Sequence, residues 1–73
     1  GKTVEAKNLL TEVLLRNPDF AGAHKNLGII FLQENDLKNA SQHLKEYLRL
    51  VPLAPDALEI QSILQGRAKN KLN

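Results

Sequence analysis

The chain has 73 residues, 42% of them hydrophobic and 25% charged, with a formal net charge of +2 at neutral pH and no cysteine. That length holds one small domain or part of one, the composition is ordinary for a globular fold, and the missing cysteines exclude a disulfide framework and thiolate chemistry. The positive excess is local: Arg67, Lys69 and Lys71 lie in the last seven residues and the rest carries seven basic against eight acidic side chains, not the basic face of a nucleic-acid binder.

A first helix is expected over residues 2–16, where Val4, Leu9, Leu10, Val13 and Leu14 recur at helical spacing. Glu12 and Arg16 form an i, i+4 pair on its polar side. Asn17-Pro18 ends it, because a residue preceding proline is driven out of the α region. Asp19 is the expected cap of a second helix from Phe20 to Glu34, with Ala23, Leu27, Ile30 and Phe31 inward and Ile29 and Leu32 widening the stripe. Asn35-Asp36 reads as a tight break, since Asn tolerates left-handed backbone and Asp caps helices well.

The third helix, Leu37 to Leu50, turns Leu37, Ala40, Leu44, Tyr47 and Leu48 inward and is stopped by Pro52. Pro55 and Asp56 suit the first turn of a fourth helix. That helix carries Leu58, Ile60, Ile63 and Leu64 and is expected to fray beyond Gly66, with a basic tail over 69–73. No alternating pattern or hairpin signal marks a strand, so the expected fold class is all-α with four antiparallel helices. No apolar run approaches the roughly 18 residues of a membrane span, and no secretory signal pattern opens the chain.

An internal repeat organises these helices. Pro18 and Pro52 are 34 positions apart, and the same shift aligns Ala6 with Ala40, Leu10 with Leu44, Glu12 with Glu46, Leu14 with Leu48, Ala23 with Ala57 and Ile29 with Ile63. Within one period the chain reads His24-x2-Leu27-Gly28-x2-Phe31, then Ala40-x3-Leu44, then Pro52. This spacing resembles the tetratricopeptide repeat family, whose pattern is W-x2-L-G-x2-Y, A-x3-F, P. The small Gly28 and Ala40 fall where two helices cross closely, and Leu27, Phe31 and Leu44 fill the space between them.

The resemblance implies a right-handed helical-repeat solenoid, an alpha-alpha superhelix. Residues 2–18 would be the second helix of a preceding repeat, 21–54 a full repeat, and 55–68 a terminal capping helix. Departures from the pattern are informative. His24 replaces the usual Trp, and Val13 and Tyr47 stand where Ala is common. Gln61-Ser62 replaces Leu-Gly and Gln65 an aromatic, which gives the last helix the polar outer face of a cap. Residues 2–16 lack a first-helix partner, so part of the Leu9 and Val13 surface is expected to be open. Upstream repeats covering it are the favoured explanation; a homo-oligomer packed through residues 2–16 is the alternative.

No arrangement of His, carboxylate and hydroxyl groups suggests a nucleophile held by a base, so no catalytic residue, cofactor or metal is expected. His24 reads as a packing residue and His43 as a surface or seam residue. Gly22 and Gly28 lie inside a helix with no preceding strand, outside the context of a phosphate-binding loop. The resemblance implies instead a protein-protein interaction scaffold binding a protein or peptide segment on a concave helix face. The residues expected there are Lys25, Ile29, Leu32 and Gln33, with Asn26 at the margin, joined by Glu59 and Ile63 from the fourth helix. Two readings of Ile29 and Ile63 stand side by side: an apolar strip for the partner, or completion of the core between repeats. Some members grip a C-terminal carboxylate with Lys, Asn and Arg; here Ile29, Asp56 and Ile60 occupy three of those places, and Asp56 would repel that group. A docking arm of a larger enzyme is a further alternative.

Overall fold

The computed structural model describes the backbone of residues 1–70 and the side chains of residues 1–66. Four helices occur in it: α1 (Lys2–Arg16), α2 (Ala21–Gln33), α3 (Leu37–Leu50) and α4 (Ala57–Asn70). Among the described residues there is no strand, and no helix is long and apolar enough to cross a membrane. The chain is all-α. Helices adjacent in sequence pack on one another, most extensively α2 with α3. Lys7 near the start of α1 is paired with Glu34 just beyond α2 at 2.9 Å, so these two helices run antiparallel.

The α2–α3 contact is built on small residues. Gly28 and Ala40 are buried, and Leu44, 1% exposed, fills the space beside them. Leu44 continues into a cluster with Tyr47, Ala54, Ala57 and Ile60 that ties α3 to the turn before α4 and to α4 itself. The centre of the core is therefore the α2–α3–α4 side. In α1 no residue is fully buried, and Leu9 is 64% exposed.

The break between α2 and α3 forms as its residues demand. Asn35 adopts φ 61°, the left-handed region Asn visits at low cost. The Asp36 carboxylate then accepts from the Asn39 backbone N–H at 3.2 Å and from its side-chain amide at 2.8 Å, satisfying a donor that the first helical turn leaves free.

Three boundary expectations are corrected. α2 begins at Ala21, its N-cap is Phe20, and no side chain caps it. Asp19 lies one position too early and points outward, 3.7 Å from Arg49. α4 begins at Ala57, so Pro55 precedes the helix instead of opening it. The turn is closed by the Ala57 N–H donating to the Ala54 carbonyl, and Asp56 offers its own carbonyl to Ile60 as the helix starts. α4 also runs through Gly66 to Asn70, because a glycine weakens a helix without ending it. Of the basic tail, residues 71–73 lie outside the described residues.

Candidate functional site

Among the described residues, two grooves flank α2. The first, about 310 Å³, runs between α2 and α4 and is lined by Lys25, Ile29, Leu32, Asp56, Glu59, Ile60 and Ile63, with Leu44 of α3 at its base. Lys25, Ile29, Leu32 on α2 and Glu59, Ile63 on α4 are thus brought together. These positions recur at three- and four-residue intervals, the periodicity that keeps side chains on one helix face. Ile29 is 39% exposed, whereas Ile60 is part of the core.

Charge in this groove is organised around Asp56. One carboxylate oxygen accepts from the Tyr47 hydroxyl at 2.7 Å, and the other pairs with the Lys25 ammonium at 2.5 Å. The same ammonium lies 5.6 Å from the centroid of the Tyr47 ring, within cation–π range. The hydrogen bond from Lys25, and after it that from Tyr47, hold the Asp56 carboxyl below its ordinary range. In return the Asp56 bond pushes Lys25 above its ordinary value, with Glu59 adding to the field. Glu59 itself is exposed.

The second groove, about 490 Å³, lies between α1 and α2 and is lined by Ala6, Leu9, Leu10, Asn26, Ile29, Ile30 and Gln33. Asn26 and Gln33, expected beside Lys25, are placed here. Ala6 and Leu10 are the counterparts, one period earlier, of the buried Ala40 and Leu44. Among the described residues no helix covers them as α2 covers the later pair, and both are only partly buried.

At the opposite side of α2 the two histidines meet, which sequence spacing did not reveal. His24 Nε2 lies 2.8 Å from the Pro18 carbonyl oxygen, an atom that only accepts, so Nε2 carries a proton. Its Nδ1 then accepts from His43 Nδ1, 3.1 Å away. The His43 ring stacks on Phe31 with centroids 5.7 Å apart. Burial, and secondarily electrostatic repulsion from the neighbouring His24 ring, push the His43 pKa below its ordinary value. His24 thus fastens the turn after α1 to α3 in the place where the repeat pattern has Trp. Among the described residues no group of three or more histidines and carboxylates could hold a metal ion.

A family model described as tetratricopeptide repeat matches residues 1–64. No curated protein and no solved structure matches the chain significantly.

Proposed function

Because the chain belongs to the tetratricopeptide repeat family, whose repeats generally mediate protein–protein interaction, we propose that it is a non-catalytic scaffold binding a segment of a protein partner in the α2–α4 groove, its helices stacking as part of a right-handed solenoid. The observation that carries this reading is the pairing of Ile29 with Ile63, one period apart, on an apolar floor rimmed by Lys25, Asp56 and Glu59. A partly exposed apolar strip with polar edges suits an amphipathic or extended segment, whose apolar side chains gain burial while its polar groups stay solvated. Ile29 serves both of its candidate roles: one edge packs in the fold and the rest is open to a partner.

The test is a pull-down from host lysate with the chain as bait, beside an Ile29→Glu variant whose helicity is verified by circular dichroism. Proteins retained by the parent and lost with the variant support the α2–α4 groove; identical profiles contradict it.

A second reading, self-association through residues 2–16, is favoured by the open α1–α2 groove and the exposed Leu9. Sedimentation at increasing concentration tests it. A strictly monomeric chain excludes it, and a dimer lost on Leu9→Glu supports it.

A further inference from the structure

We propose that the α2–α4 groove is selective for a cationic, aliphatic segment, one carrying a Lys or Arg beside a branched apolar residue, and rejects an acidic one. This rests on the groove being the binding site. Three charged side chains line it: Lys25, Asp56 and Glu59. The cation is already committed. Lys25 is paired to Asp56 and held over the Tyr47 ring, while Asp56 is held in turn by the Tyr47 hydroxyl. Among the described residues, the groove carboxylate without an ion-pair partner is Glu59, on the exposed flank of α4.

The consequence for a ligand follows from electrostatics. A ligand carboxylate would have to share Lys25 with Asp56, which would face it as a like charge and so disfavour binding. A ligand ammonium or guanidinium meets Glu59 with no pair to break among the described residues. Beneath these charges Ile29, Leu32, Ile60 and Ile63 form an apolar floor, so the favoured segment combines an aliphatic side chain for the floor with a basic one for Glu59. The flanking charge sets preference more than affinity, because exposed ion pairs are weak: about fivefold at most between matched and neutral rims.

The experiment is selection of a random displayed peptide library on the immobilised chain, keeping sequences that bind the parent and lose binding to Ile29→Glu. Synthetic peptides of those sequences are then titrated against the parent, Glu59→Gln and Lys25→Gln, each verified as folded by circular dichroism. Enrichment of Lys or Arg next to Ile, Leu or Val is expected. Binding should weaken up to about fivefold in Glu59→Gln and tighten in Lys25→Gln, which leaves Asp56 free for the ligand cation. Groove-dependent peptides that are acidic or without charge bias, or that weaken in Lys25→Gln, overturn the proposed selectivity while leaving the groove as the site. If no selected sequence depends on Ile29, the site itself is wrong and the selectivity falls with it.

Discussion

Gly28 lies so close to Leu44 that a β-carbon placed on it would sit 2.6 Å from both Cγ and Cδ2 of that side chain. Leu44 is 1% exposed and is packed in one cluster with Tyr47, Ala54, Ala57 and Ile60. The glycine therefore sets how closely α2 and α3 approach, and through Leu44 the position of the cluster under the groove.

Gly28→Ala should accordingly destabilise the fold although alanine is the better helix former. Overpacking costs about 1–3 kcal/mol, against a propensity gain of about 1 kcal/mol, so a net loss of about 1 kcal/mol is expected in urea unfolding. The mirror substitution, Leu44→Ala, removes the filling side chain and should cost about 2–5 kcal/mol. A domain of this size has about 4–11 kcal/mol in total, so its midpoint should fall steeply.

The histidine pair predicts a pH dependence. The folded-state pKa of His43 is lowered, so below the ordinary histidine value the unfolded chain binds more protons than the folded one. Stability is complete above about pH 6.5 and declines as pH falls below it. Thermal melts at neutral pH and at about pH 5 should show this decline in the parent, and a smaller one in His43→Gln. An equal decline in both would exclude His43 as the cause.

The anchoring of α4 predicts an order of effects. Asp56→Asn weakens both the Lys25 pair and the acceptor for the Tyr47 hydroxyl, whereas Tyr47→Phe removes only the hydroxyl that donates to Asp56. Hydrogen-exchange protection of α4 amides should fall more in Asp56→Asn than in Tyr47→Phe. The depressed Asp56 pKa adds a second signature: its contribution is present above the ordinary carboxylate value, about pH 4, and is lost as pH falls through the lowered one. Asp56→Asn should remove that part of the acid transition.

Ile29→Glu should leave the fold intact, since Ile29 is 39% exposed and a glutamate there can reach solvent. Its helicity and urea midpoint are expected close to those of the parent. A large loss of stability would show that Ile29 acts chiefly as a core residue.

Local signals carried most of the fold. The spans of α1 and α3 follow from helical spacing, Asn17-Pro18, Asp36 and Pro52, because such boundaries are decided within a few residues. Asp19 misled because one position separates a capping carboxylate from an exposed one, and Phe20 takes that place. Long-range pairs were not legible. Asp56 is nine positions from Tyr47 and still further from Lys25, and its local context points only to a helix-dipole role and repulsion of a carboxylate. The register of α2 in turn sends Asn26 and Gln33 to the α1 side, a rotation that periodicity alone does not fix.

The central claim, that a partner segment lies in the α2–α4 groove, is tested most directly by photo-crosslinking in host lysate from a photoreactive residue placed at Ile63, with Leu15 on the exposed side of α1 as control. The account predicts a discrete protein adduct from position 63 that is absent from position 15 and is lost when Ile29→Glu is added. Adducts of the same proteins in equal amount from both positions, or adducts from position 63 that survive Ile29→Glu, would contradict it.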